Sequence, residues 1–216
     1  MYKLCSQTEK ISKVGKIIPV LKINQVELAE PLVDSLIDSG ALTVEITLRT
    51  KCALEVIYQV RKMYPTLIIG AGTVVTEDQV NLVKEAGADY IVSPGSDKAI
   101  MNRCEDVDIE LLPGIQTVTE AMTAVKCGFN FVKFFPATIA GGIDFVKAIN
   151  AVLPDLMIIP TGGINEKNLF DWLSQKNVPS VGGTWIVDQN DLKMKKFKEI
   201  KSYVSKIFKA IEIRHV

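Results

Sequence analysis

Apolar and polar positions follow two alternating rhythms along this chain. Short apolar runs of strand length are each followed by a stretch with apolar residues at helical spacing. The runs are 17–23 (IIPVLKI), 43–49 (TVEITLR), 67–73 (LIIGAGT), 90–95 (YIVSPG), 110–115 (ELLPGI), 131–137 (FVKFFPA), 156–163 (LMIIPTGG) and 180–187 (SVGGTWIV). Helices are predicted near 52–63, 76–86, 97–104, 117–127, 143–152 and 166–175. Another lies between Asn24 and Gly40, with Asn24 and Glu27 at capping-box spacing and Pro31 inside it. The tail from 191 to 212 is predicted as one amphipathic helix with Leu192, Phe197, Ile200, Val204, Ile207 and Ile211 on its apolar stripe.

Eight strands, each followed by a helix, predict an α/β fold: a compact (β/α)8 TIM barrel, eight parallel strands inside a ring of helices. A doubly wound open sheet would carry a glycine fingerprint directly after its first strand, and IIPVLKINQ has none. No linker or low-complexity run interrupts the pattern. One barrel domain is therefore expected over 1–216, with 1–13 as a leading segment.

Two runs depart from the plain pattern. FVKFFPA is apolar enough to be buried on both faces, yet Lys133 sits in its middle. An ionised lysine is almost never fully buried without a partner. The plain alternative is a side chain that snorkels its head to water. TVEITLR alternates strictly, with Val44, Ile46 and Leu48 on one face and Thr43, Glu45, Thr47 and Arg49 on the other. Helical stretches on both sides make this a parallel strand, so its polar face is expected to look into the barrel.

Composition narrows the function by exclusion. Lys+Arg and Asp+Glu number 25 each among 216 residues, so the formal charge is zero. That gives no electrostatic case for nucleic acid or an anionic membrane. MYKLCSQTEK lacks a signal-peptide core, and no apolar run reaches membrane-span length. Cys5, Cys52, Cys104 and Cys127 are scattered, without zinc or redox spacing, which suits a reduced cytoplasmic protein. His215 is the only histidine, which argues against a Ser-His-Asp triad or a multi-histidine metal site. Acid–base work then falls to carboxylate, lysine, tyrosine or water.

Barrel active sites gather at the C-terminal ends of the strands. Here those ends hold Lys22, Glu45 with Arg49, Thr73, Pro94, Gly114, Lys133, Thr161 with Gly162 and Gly163, and Gly182 with Gly183 and Thr184. A single glycine there usually marks only a tight turn. Two consecutive pairs, after the seventh and eighth strands, suit a phosphate cradle of backbone N–H groups and a helix N-terminus. Glu45 and Lys133 form the sharper pair, since both project into one interior. A lysine attacks a carbonyl only as the neutral amine, and a carboxylate beside it can move protons. A buried structural ion pair is the competing account. Lys22 can add a second cation, Arg49 offers a fork for a carboxylate, and Phe135 shares the parity of Lys133 and can wall the site.

The runs VEITLRT, IGAGTVVT, YIVSPG, LLPGIQTVTEAM, VKFFPA, PTGGIN and VGGTWIV resemble the bacterial 2-keto-3-deoxy-6-phosphogluconate aldolase family, also called 4-hydroxy-2-oxoglutarate aldolases. The resemblance covers about residues 14 to 190, in order. It implies a class I aldolase without metal or cofactor, usually a homotrimer, acting on a keto-deoxy sugar acid phosphate and releasing pyruvate. It implies that Lys133 forms the Schiff base and Glu45 shuttles protons. Arg49, Thr73 and Pro94 would line the carboxylate and keto end, with Phe135 beside the Schiff base. Thr161, Gly162, Gly163, Gly183 and Thr184 would hold the distal phosphate. Thr184 stands where many members have serine, and Lys22 where many have arginine.

Three other readings compete. The substrate can be the 6-phosphogalactonate epimer or unphosphorylated 4-hydroxy-2-oxoglutarate. A metal-free phosphosugar isomerase on the same barrel can use Glu45. A non-catalytic phosphometabolite-binding protein gives no reason for a lysine inside the sixth strand.

Overall fold

In the computed structural model, which describes residues 9–214, the strands form two parallel sheets. Cys5, His215 and most of the leading segment lie outside the described residues. The strands are β1 (Ile17–Leu21), β2 (Thr43–Thr47), β3 (Ile68–Gly72), β4 (Tyr90–Val92), β5 (Glu110–Leu112), β6 (Gly114–Ile115), β7 (Phe131–Phe134), β8 (Met157–Pro160) and β9 (Val181–Gly183). One sheet runs β5-β4-β3-β2-β1-β9 and the other β6-β7-β8. The helices are α1 (Ala29–Ile37), α2 (Ala53–Met63), α3 (Glu77–Glu85), α4 (Lys98–Asp106), α5 (Val118–Lys126), α6 (Gly142–Val152), α7 (Leu169–Leu173), α8 (Gln189–Lys193) and α9 (Phe197–Arg214).

The run expected as one fifth strand is split in two by Pro113. Proline has no N–H to give a ladder, so a sheet changes partner there at little cost. β5 pairs with β4, whereas β6 pairs with β7. The Pro113 carbonyl still accepts from the Lys133 N–H at 2.8 Å. At the other seam a parallel bridge joins Thr161 to Gly182.

Two apolar layers follow from the period-two alternation of the strands. The outward layer packs Val44, Ile46, Ile69, Ile91, Val132 and Phe134 against helix residues such as Leu32, Leu36, Val56 and Val80. Phe134 stacks on Phe145 of α6 with ring centroids 4.5 Å apart. The inward layer contains Ile18, Tyr90, Val92, Leu112 and Ile159. Ile11 and Val14, from the turn before β1, belong to it as well. The Glu110 carboxylate accepts from the N–H groups of Lys10 and Ile11, which fixes that turn. Burial pushes the Glu110 carboxyl above its ordinary value, and those two hydrogen bonds oppose the shift.

The polar face of β2 is buried, as its alternation predicted. Thr43 donates to the Ile68 carbonyl and Thr47 to the Leu21 carbonyl, each at 2.8 Å. One register row crosses five strands through Val20, Glu45, Gly70, Tyr90 and Glu110. Glycines on β3 make room for large neighbours. A Cβ on Gly70 would lie 2.4 Å from the Tyr90 ring.

Three helix expectations change. Asn24 and Glu27 do not cap the first helix. The chain enters through a 3-10 turn over Val26–Leu28 that has no side-chain cap, and α1 starts at Ala29. Pro31 thereby falls in the first turn of α1, where no helical N–H is lost. The tail forms two helices because Lys195, at φ 58°, takes a left-handed conformation between α8 and α9. α7 is shorter than 166–175, because Asn165 and Asn168 use their side chains to bond backbone N–H groups in the preceding turn. α3 and α5 carry full capping boxes, Thr76 with Gln79 and Thr117 with Glu120.

Candidate active site

Lys133 is held from both ends. Its N–H is bonded to Pro113, and its side chain points along the inward parity of β7 toward Glu45 on β2. Lys133 Nζ lies 3.4 Å from Glu45 Oε1, with side-chain exposures of 8% and 3%. At this depth each group has the other, rather than bulk water, as its polar partner. The Phe135 ring centroid is 5.5 Å from Lys133 Nζ, close enough for a cation–π contact. Gly72 on β3 leaves the space that Glu45 fills: a Cβ there would lie 2.2 Å from Glu45 Oε1.

The residues at the neighbouring strand ends are shaped by their backbones. Thr73, just past β3, has φ 61°. A left-handed conformation in a β-branched residue costs on the order of 1–3 kcal/mol, a strain that clusters at functional sites. Pro94 follows β4 and abuts Gly114, where a Cβ would strike the Pro94 carbonyl at 2.2 Å. Gly114 also donates to the Gly95 carbonyl at 3.1 Å. Arg49 is exposed, with Nε tethered to Thr47 Oγ1 at 3.1 Å. The tether uses Nε and leaves the terminal nitrogens as the exposed edge of the guanidinium. Lys22 is exposed just past β1.

The two glycine pairs differ from each other. Gly162 and Gly163 have φ 104° and 78°, and form a left-handed loop that only glycine adopts freely. This loop is laced to the end of β7: Ala137 donates to Thr161, and Thr138 donates to Gly162 through both its N–H and its hydroxyl. Gly182 and Gly183 lie within β9 itself and have no positive φ. Their lack of side chains serves their neighbours. A Cβ on Gly182 would meet Thr161 Oγ1 at 2.2 Å, and one on Gly183 would meet the Trp185 ring at 2.4 Å. The helix N-terminus expected behind the cradle is absent: α7 begins at Leu169 and α8 at Gln189, several residues beyond each pair. The unpaired polar groups offered here are loop N–H groups and the exposed Thr184 hydroxyl.

The sequence did not single out several parts of this frame. Ser93 is buried at the end of β4, and Ser96 donates to the Gly114 carbonyl at 2.6 Å. Thr138 ties the loop after β7 to Gly162. Their only sequence signal is their place beside strand ends. Tyr90 fills the inward layer of its sheet in the same register row as Glu45, and its parity within YIV offered that clue. Burial, and then the Glu45 charge, push the Tyr90 phenol well above its ordinary value.

A buried amine facing a carboxylate is an arrangement suited to carbonyl chemistry. A family model described as KDPG and KHG aldolase matches residues 8–203. The chain belongs to the KDPG and KHG aldolase family. It is an aldolase, a lyase that works on carbon–carbon bonds. The match reaches past the 14–190 span of the sequence resemblance. The 2-dehydro-3-deoxy-phosphogluconate aldolase of Dickeya dadantii is 38% identical over 187 residues, covering 87% of this chain and 88% of that protein. The KHG/KDPG aldolase of Escherichia coli K12 is 37% identical over 187 residues, with the same coverage of 87% and 88%. A crystal structure of KDPG aldolase from Legionella pneumophila has a TM-score of 0.89 at 38% identity, covering 91% of this chain and 96% of that one. That structure holds pyruvate captured at low pH as a covalent carbinolamine intermediate.

Proposed function

We propose that this KDPG and KHG family aldolase is of class I and cleaves 2-keto-3-deoxy-6-phosphogluconate to pyruvate and glyceraldehyde 3-phosphate, with Lys133 as its Schiff-base residue. The observation that carries the reading is the buried Lys133–Glu45 pair at 3.4 Å. The neutral Lys133 amine attacks the C2 ketone, and loss of water from the carbinolamine gives an iminium. Glu45 accepts the C4 hydroxyl proton, directly or through water. The C3–C4 bond breaks, its electrons enter the C2–C3 enamine, and the aldehyde leaves. A proton returns to C3, and water hydrolyses the iminium, freeing pyruvate and Lys133. The carbinolamine held by the Legionella relative supports the covalent route.

Arg49, Thr73 and Pro94 line the carboxylate and keto end in this reading, Lys22 adds positive charge at the mouth, and Phe135 shields the Schiff base. Thr161, Gly162, Gly163, Gly183 and Thr184 hold the phosphate. Pyruvate and glyoxylate from 4-hydroxy-2-oxoglutarate form a second activity, favoured by the double name of the Escherichia coli relative. No metal or cofactor takes part in these steps.

The two sheets form one closed eight-stranded barrel domain in this account. Pro113 links β5 to β6, and the Thr161–Gly182 bridge supports the other seam. The chain assembles as a homotrimer. Val118, Met122 and Val125 form an exposed apolar stripe on α5, and Ile139 is also exposed, as a subunit contact would need. The protein works in the cytoplasm. Cys52 and Cys127 are free thiols, and among the described residues no helix is long and apolar enough to cross a membrane.

A pyruvate-release assay on the two phosphorylated epimers and on 4-hydroxy-2-oxoglutarate tests the reading. Turnover is expected with the gluconate epimer foremost. No pyruvate from any of the three would overturn it, and a preference for the galactonate epimer would correct the substrate.

A further inference from the structure

The C-terminal helix α9 reaches both loops that carry the glycine cradle. Lys206 Nζ lies 2.8 Å from Glu166 Oε1, and Glu166 is three residues past Gly163. The turn bearing Glu166 is itself tied to the cradle, because Asn168 Nδ2 donates to the Gly163 carbonyl at 3.0 Å. Tyr203, one turn earlier on α9, lines one groove with Asn165, Glu166 and Trp185. Trp185 in turn backs Gly183 so closely that no side chain fits between them.

The Tyr203 phenol is pushed above its ordinary value, first by burial and then by the Glu166 carboxylate. The Trp185 N–H is buried without a hydrogen-bond partner, on the same groove as Tyr203. Tyr203 therefore shares its groove with one residue from each loop, Glu166 and Trp185. α9 has its own anchorage, independent of the cradle. Ile200, Val204, Ile207 and Ile211 are buried, and Ser39 donates to the Lys201 carbonyl and accepts from the Ser205 hydroxyl. Lys206 lies beyond the residues 8–203 matched by the family model.

We propose that α9 braces the phosphate cradle, with Tyr203 and Lys206 as positioning residues whose contacts to Trp185 and Glu166 set affinity for the phosphorylated end of the substrate. The proposal rests on the reading that the glycine pairs hold that phosphate. Loop N–H groups bind an anion well only if they are already aimed, since ordering them on binding weakens affinity. The cradle has no long helix behind it to fix its donors, so an outside support has more to do. An exposed ion pair alone contributes little, so the Tyr203 ring carries more of the effect than Lys206.

The test compares the native enzyme with Tyr203→Leu, Tyr203→Leu/Lys206→Met and the conservative Tyr203→Phe. Three quantities are read: KM and kcat on the phosphorylated substrate, the inhibition constant of inorganic phosphate, and the rate at which pyruvate, which carries no phosphate, is trapped by borohydride. In the double variant, KM and the phosphate constant should rise about tenfold, with kcat and the trapping rate within about twofold of native. Tyr203→Phe keeps the ring and loses the hydroxyl, so it should fall between native and Tyr203→Leu. A Tyr203→Phe enzyme as impaired as Tyr203→Leu would overturn the share given to the ring. Unchanged KM and phosphate constants would overturn the brace, as would an equal fall in pyruvate trapping, which marks general damage. A native enzyme that inorganic phosphate does not inhibit would instead remove the cradle assignment, and the brace with it.

Discussion

Gly72 and Glu45 occupy one space. The carboxylate Oε1 stands 2.2 Å from where a Cβ on Gly72 would sit, so Glu45 reaches Lys133 only because β3 has no side chain at that point. Gly72→Ala must therefore displace Glu45. General acid–base groups contribute about 10²–10⁴-fold to rate, so kcat should fall at least about a hundredfold. Glu45→Gln should show a loss of the same order. Steady-state kinetics of the two variants check this. A Gly72→Ala enzyme with native kcat would separate Glu45 from proton transfer.

Tyr90 supports the sheet beside that pair through a hydrogen bond of fixed direction. The Thr43 hydroxyl proton is committed to the Ile68 carbonyl, so the Tyr90 hydroxyl donates to Thr43 Oγ1 across 3.2 Å. Tyr90→Phe keeps the ring and leaves Thr43 without its donor. It should lower stability by about 1 kcal/mol, the ordinary net worth of such a bond. Urea denaturation of both forms measures the difference, and equal midpoints would contradict the assignment.

Much of this frame was legible before any coordinates, and the reasons differ by residue. Lys133 stood out because a cation in an apolar run breaks pattern, and Glu45 because the period of two is unforgiving about which face a side chain joins. The split at Pro113 was less visible. ELLPGI reads as one strand, and only the pairing partners reveal the change. The Asn24 capping box failed because capping spacing is a local signal, whereas entry to α1 is set by packing of Leu28 and Ala29. Gly182 and Gly183 resembled a loop pair, yet they serve contacts with Thr161 and Trp185 that are distant from any sequence rule. The reach of α9 to Glu166 and Trp185 is tertiary, and no periodicity carries it.

The α5 capping box gives the protein an acid-sensitive anchor. Burial alone would raise the Glu120 carboxyl. Hydrogen bonds from the Gln116 N–H, the Thr117 hydroxyl and the Thr117 N–H outweigh it and hold the group below its ordinary value of 4.5. A depressed carboxyl contributes stability that is present above its unfolded value and is lost as pH falls through the folded one. Glu120→Gln should cost about 1 kcal/mol at pH 7, in line with other caps. It should also flatten the loss of stability below about pH 4.5. Thermal denaturation from pH 7 to 3 tests both, and parallel curves for the two proteins would contradict the second.

In the proposed mechanism Lys133 is the amine that becomes covalently bound. Incubation with pyruvate and borohydride, followed by peptide mass spectrometry, tests it most directly. One reduced pyruvate adduct is expected, on the peptide that contains Lys133, and none in Lys133→Met. An adduct on a different lysine, or no adduct in the native enzyme, would contradict it.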